Sequence, residues 1–274
     1  MRLAVLVMMF VASTATAQPF ERVLIPVVIS GELPGAFGSR WVTRLAVTNT
    51  ADQRVNIFGY NPFPSGCVIA VCPPVPSTPP NETFFPMLTP GQISQGAIMV
   101  VDSQFASKVR FQLRVQDVSR DAQTWGTEIP VMRSSMLASV PAELLDVPLT
   151  TGFRDTLRVY DIDALGNTQV TIRFFKTNPT IQSPVDIVVN PSGPMGPDVL
   201  LGERTINLSV EHRSTDPTFD LGYAELDSIE TLPELQGVTR VRIEIQPVTP
   251  GLRPWGLISV TNDETQHVTV VTPQ

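Results

Sequence analysis

Histidine, cysteine, lysine and helical periodicity are all scarce in this sequence. Two of its 274 residues are His and two are Cys, and among its 19 basic residues only Lys108 and Lys176 are lysines. Acidic residues number 26, and the net charge is −7. That balance opposes nucleic-acid binding, which needs a concentrated basic surface. The cysteines, Cys67 and Cys72, have neither His nearby in sequence, so they do not make up the four ligands of a closed zinc site. No G-x-S-x-G elbow, H-E-x-x-H helix, phosphate-binding loop or dinucleotide fingerprint occurs, and no cofactor is expected. Amphipathic helices are absent too. The best helical candidate is a short turn near Pro141–Leu145, with Pro tolerated at a first helical position.

One apolar run stands out, Leu3–Ala12, and it is too short to span a bilayer as a helix. Arg2 precedes it and Ala15-Thr16-Ala17 follows, the pattern of a cleavable secretory signal over residues 1–17. No second apolar stretch has spanning length, so no membrane span is expected in the mature chain. An exported protein meets an oxidising compartment, where a close pair such as Cys67 and Cys72 forms a disulfide. A loop that small gains little stability from its bridge, which mainly shapes the loop tip.

What fills the mature sequence is period-two alternation. From Lys108 to Gln116, Val109, Phe111, Leu113 and Val115 share one face, while Lys108, Arg110, Gln112, Arg114 and Gln116 share the other. Similar alternation marks Trp41–Val47, Leu157–Val159, Val170–Phe174, Ile206–Val210 and Val241–Ile245. Val23–Ile29, Ala97–Val101 and Leu257–Val260 are more continuously apolar and read as inner strands. The 26 Pro and 17 Gly punctuate these runs, and proline concentrates in Asn61–Pro90 and Asn178–Pro197, which read as semi-rigid loops. The expectation is an all-β chain of antiparallel sandwiches.

The pattern also repeats. Leu45-x-Val47-x-Asn49 with Val55-x-Ile57 lies over Leu157-x-Val159-x-Asp161 with Val170-x-Ile172. Val109–Leu113 lies over Val241–Ile245, and Trp125-Gly126 over Trp255-Gly256. A duplicated β unit accounts for this, with domains expected at 18–145 and 146–274. Three segments, Phe153–Asp161, Trp41–Asn49 and Gly256–Thr265, resemble a group of secreted bacterial tandem β-sandwich proteins, immunoglobulin-like in outline and mostly of uncharacterised function. The resemblance implies export and two tandem immunoglobulin-like sandwiches, and it carries no catalytic residue.

Candidate chemistry is sparse. His212 lies in a polar loop and His267 on a C-terminal strand. Asp161, Asp163 and Asn167 offer oxygen ligands for Ca²⁺, although turn chemistry accounts for the same residues. Trp125 and Trp255, at matching repeat positions, are expected in the cores, and Trp41 inward in phase with Leu45. Tyr60 and Tyr160 are expected outside. Lys108, Arg110, Arg114, Arg240 and Arg242 form a basic stripe read as a solvated sheet face. The expected function is a non-catalytic secreted or cell-surface protein with a structural, adhesive or protein-binding role, its partner a protein or a surface polymer. Its contacts are placed on the bridged, proline-rich loop that carries Tyr60, Cys67, Cys72, Pro73 and Pro74, whose stiff backbone loses little entropy on docking. The alternatives are a carbohydrate-binding module and, behind it, a loop-based hydrolase.

Overall fold

Residues 20–29, 31–59, 77–85, 93–120, 125–176, 198–211 and 217–273 are described by a computed structural model. Among them the chain is all-β, paired antiparallel throughout, with 3-10 turns as the only helical elements. No helix of the described residues is long and apolar enough to cross a membrane, which says nothing about strands.

The strands before residue 140 are β1 (Phe20–Ile25), β2 (Val28–Ile29), β3 (Leu33–Pro34), β4 (Arg40–Asn49), β5 (Val55–Gly59), β6 (Ser77–Thr78), β7 (Thr83–Phe84), β8 (Ile93–Ser94), β9 (Ala97–Asp102), β10 (Val109–Asp117), β11 (Thr127–Ile129) and β12 (Met132–Arg133). Those after it are β13 (Ala142–Pro148), β14 (Phe153–Asp161), β15 (Thr168–Lys176), β16 (Val199–Glu211), β17 (Leu221–Leu226), β18 (Arg240–Pro247), β19 (Trp255–Asn262) and β20 (Val268–Val271). The first set forms the sheets β12-β1-β9-β5-β6 and β11-β10-β4-β3, with β7 also on β4 and β2 paired to β8. The second set forms one eight-stranded sheet, β13-β18-β15-β16-β17-β14-β19-β20. Its two halves are joined by β16, whose residues Val199–Leu208 run along β15 and Ser209–Glu211 along β17.

The pairing order recurs. β1-β9-β5-β6 has the same order as β13-β18-β15-β16, and β7-β4-β10-β11 the same as β17-β14-β19-β20. Registers agree as well: Trp41 faces Asp117 and Leu45 faces Leu113, as Phe153 faces Asn262 and Leu157 faces Ile258. Polar side chains cap the matching strand ends. Asn49 Oδ1 accepts from the amide of Ala51 and Asp161 Oδ1 from that of Asp163, each two residues on. Asp117 and Asn262 do the same for Ser119 and Glu264.

This order corrects part of the repeat read from sequence. The partner of β18 by position is β9, not β10, and the partner of β10 is β19. Val109–Leu113 and Val241–Ile245 look alike because half-buried strands share one alternation, which does not specify the neighbour. The turn expected at Pro141–Leu145 is also replaced. Residues from Ala142 onward form β13, which pairs with β18 and buries Leu144 and Val147 on either side of a bulge. Tertiary pairing overrides a weak local preference there. β13 spans the boundary expected at 145.

Two buried clusters result. Leu157, Val159, Ile258 and Val260 point into the cluster enclosed by the second set of strands. Their neighbours Tyr160, Ile162, Trp255 and Leu257 point the other way and join Leu221 and Tyr223 in the cluster built by the first set. The β17-β14-β19 layer is therefore buried on both faces, which accounts for Leu257, Ile258 and Val260 being apolar on both sides of the strand.

Candidate functional site

The loop singled out by sequence, with Tyr60, Cys67, Cys72, Pro73 and Pro74, lies outside the described residues. So do residues 1–17 and His212. Asp161, Asp163 and Asn167 do share one loop, but its carboxylates are engaged. Asp161 is fully buried, and its oxygens accept from the amides of Asp163, Ala164 and Leu165 and from the Thr168 hydroxyl. Burial pushes its carboxyl above the usual range, against the pull of those amides. Asp163 is held by Arg253 through contacts of 2.8 to 3.0 Å. Asn167, with φ +46°, shapes the turn.

The basic stripe is largely neutralised. Arg240 meets Asp146 at 2.6 Å, Arg242 meets Asp198 at 2.7 Å and Glu143 at 3.3 Å, and Arg114 meets Glu128 at 3.1 Å. A wide groove of about 940 Å³, lined in part by Phe20, Arg110, Phe111 and Arg133, is similarly balanced, since Arg133 pairs with Glu21 at 2.5 Å.

Two aromatic expectations reverse. Tyr160 is fully buried, within 5.3 Å of the Tyr223 ring and 5.9 Å of the Trp255 ring, and its hydroxyl donates to the carbonyl of Pro26. It is out of phase with Leu157 and Val159 because a second core, rather than water, covers that face. Trp125 is 80% exposed, whereas Trp255 is 4% exposed. Trp255 begins β19 opposite Tyr160, while Trp125 precedes β11 and has no strand partner.

The two sets of strands meet again at their matching hairpins, β10–β11 and β19–β20. Arg120 donates to the carbonyl of Thr265, and the Thr127 hydroxyl to that of Val268. Between the hairpins lies a groove of about 320 Å³, lined by Trp41, Asp117, Arg120, Gly126, Thr127 and His267 among others. No protein-family model, curated protein or solved structure matches this chain. The groove's chemistry is therefore read from its own residues.

Asp117 is 3% exposed. Its Oδ1 accepts from the Arg40 amide at 2.9 Å, the Ser119 amide at 3.0 Å and the Ser119 hydroxyl at 2.6 Å. Burial opposes its charge, but these bonds and the nearby Arg120 outweigh burial and hold the carboxyl below its usual range. Its Oδ2, sealed from solvent, has no hydrogen bond among the described residues and lies 3.4 Å from Arg120 Nε. His267 is exposed at the groove's edge. Sequence reading missed Asp117 and Arg120; the only local signal was a strand ending in an acid.

Gly126 fixes the groove wall. Its φ is +78°, and a Cβ there would lie 2.3 Å from the carbonyl oxygen of Val115 and 2.9 Å from Gln116 Cα. Gly38 has a similar φ of +75° with open space around it. Gly38→Ala is expected to cost about 1 kcal/mol, the left-handed backbone penalty alone. Gly126→Ala is expected to cost at least about 2 kcal/mol, because the strand backbone does not yield. Urea midpoints of the two variants check this; equal losses would show that the Gly126 contact is unimportant.

One further group is unusual. Asp155, on β14, is fully buried, with neither carboxylate oxygen hydrogen-bonded among the described residues. Burial, and then the charge of Glu230, push its carboxyl up to about 7. The matching residue of the first set, Thr43, is satisfied: its hydroxyl accepts from the Ile29 amide at 2.9 Å and donates to the Val27 carbonyl at 3.2 Å.

Proposed function

We propose that the protein is an exported, non-catalytic pair of tandem sandwich domains, immunoglobulin-like in outline, with a structural, adhesive or protein-binding role carried by its loops. The observation that supports this most is the shared core. Tyr160, Tyr223 and Trp255, from the second set of strands, are buried with the first set. Ties from Arg22 to the Asp220 carbonyl and from Arg253 to the Ser134 carbonyl flank them. Two units joined this way hold their loops at fixed spacing, so a partner touching both loses little entropy in docking. The recurrent pairing order supports a duplication, and the pairing of β13 with β18 supports a boundary just ahead of Ala142 rather than at 145. Export rests on the leader pattern at residues 1–17 and on the close cysteine pair.

The test uses residues 18–274 as bait against extracellular and envelope fractions, beside a Cys67→Ser/Cys72→Ser variant. A partner captured by the first and lost by the second is expected. Capture of no partner by either bait would overturn the loop-docking reading.

A further inference from the structure

The proposed role leaves the wide groove beside β10 unused. Its volume, about 940 Å³, is at the upper end of ligand sites, roughly 300–1,000 Å³. Both sheets of the first set contribute to it: Phe20 and Glu21 come from β1, Arg133 from β12, and Val109, Arg110 and Phe111 from β10. β11 pairs with β10 only over Leu113–Val115, and the chain then crosses to the other sheet, where β12 pairs with β1. Past this crossing, among the described residues, no strand lies beside Val109–Phe111 on the side away from β4.

The floor of the groove is already locked. Arg133 meets Glu21 at 2.5 Å, donates to the Val109 carbonyl and lies 5.5 Å from the centre of the Phe111 ring. Its charge and that of Glu21 cancel. Arg253, also in the lining, is committed to Asp163 at 2.8 Å and to the Ser134 carbonyl. Arg110 differs from both. It is exposed, faces the neutral Thr48 across the strand pair, and has no ion pair among the described residues. Phe20, in the same lining, keeps 38% of its surface exposed. An open cation and an open aromatic ring therefore share one groove whose other charges are spoken for.

We propose that this groove docks an extended peptide segment of a partner protein, one carrying a large apolar side chain among acidic ones. The apolar side chain packs on Phe20 and Val131, and a neighbouring carboxylate pairs with Arg110. Charge complementarity selects the acidic segment, because the single uncommitted charge of the lining is positive. The open rim selects a chain over a small molecule. Ser103, Ser107, Arg110 and Ser135 are all exposed, whereas small-molecule sites enclose roughly 70–90% of their ligand. A floor held by Arg133 loses little freedom when the segment arrives.

Fluorescence anisotropy tests this with the whole mature chain and a labelled heptapeptide that has phenylalanine at its centre and glutamate elsewhere. A sub-millimolar Kd is expected. Serine in place of the phenylalanine, or lysine in place of the glutamates, should weaken binding about tenfold or more. Arg110→Glu, at an exposed position, should keep the parent Tm, weaken the acidic peptide about tenfold and strengthen the lysine one. Phe20→Ala should weaken the acidic peptide as well. No binding of the acidic peptide, or equal binding by Arg110→Glu, would overturn the proposal. So would equal binding of the serine peptide together with competition by dextran sulfate, which would mark a site for any polyanion. The Cys67→Ser/Cys72→Ser variant is expected to bind the peptide as the parent does, so this site and the cysteine loop succeed or fail separately.

Discussion

Replacing Tyr160 by alanine is expected to lower stability by about 3–5 kcal/mol, the range for truncating a fully buried large aromatic. It is also expected to split one unfolding transition into two. Tyr160 sits on a strand of the second set, but its ring is part of the cluster built by the first, between Tyr223 and Trp255. Gly96 is pressed against the same ring: a Cβ added there would lie 3.2 Å from Tyr160 Cε1 and from Leu221 Cδ2. While this contact persists, neither set of strands unfolds without exposing apolar surface of the other, so the intact chain should melt cooperatively. Tyr160→Phe keeps the stacking and loses only the hydrogen bond to Pro26, about 1 kcal/mol. Differential scanning calorimetry reads both effects. A Tyr160→Ala protein that melts in one transition at the original Tm would refute the coupling.

The second large effect depends on pH. In the folded protein Asp155 titrates at about 7, whereas an unfolded Asp titrates near 3.9. The folded state therefore holds this proton more tightly. Stability from this group is complete below about pH 4, falls as pH rises toward 7, and stays low above it. A shift of this size corresponds to something on the order of 4 kcal/mol. Asp155→Asn is uncharged at every pH and keeps the shape. It is expected to be several kcal/mol more stable than the parent at pH 8 and close to it at pH 4.5. Glu230→Gln removes the nearby charge and should recover a smaller part of the gain. Urea titrations at the two pH values give the comparison, and a difference between Asp155→Asn and parent that does not change with pH would sink the argument.

Why a charged residue stands at Asp155 is clearer from the matching position in the first set. Thr43 there bonds the backbone of β2 and the residue before it, a short strand that pairs with β8. Asp155 has no such partner among the described residues, so its cost is unrelieved. The sequence shows Asp155 in phase with Leu157 and Val159, which already places it inward. It does not show that no donor awaits it.

Alternation was enough to place Leu45, Val47, Leu113, Val159, Ile172 and Ile243 inward, and all are buried. The candidate site was less legible. Trp125 and Trp255 each precede a glycine, and one is bare while the other is buried. The Asp117–Arg120 pair looks like any strand end followed by a turn. Its meaning comes from Thr265, His267 and Val268 across the groove.

The amino-acid sequence by itself determined the all-β class and which face of most strands is apolar, because side-chain alternation is a local property of extended chain. Tertiary structure alone decided that β10 matches β19, that Tyr160 is buried and that Trp125 is exposed. A strand reads the same whether its second face meets water or another core. The contact that settles it for Tyr160 comes from Pro26, 134 positions away along the chain.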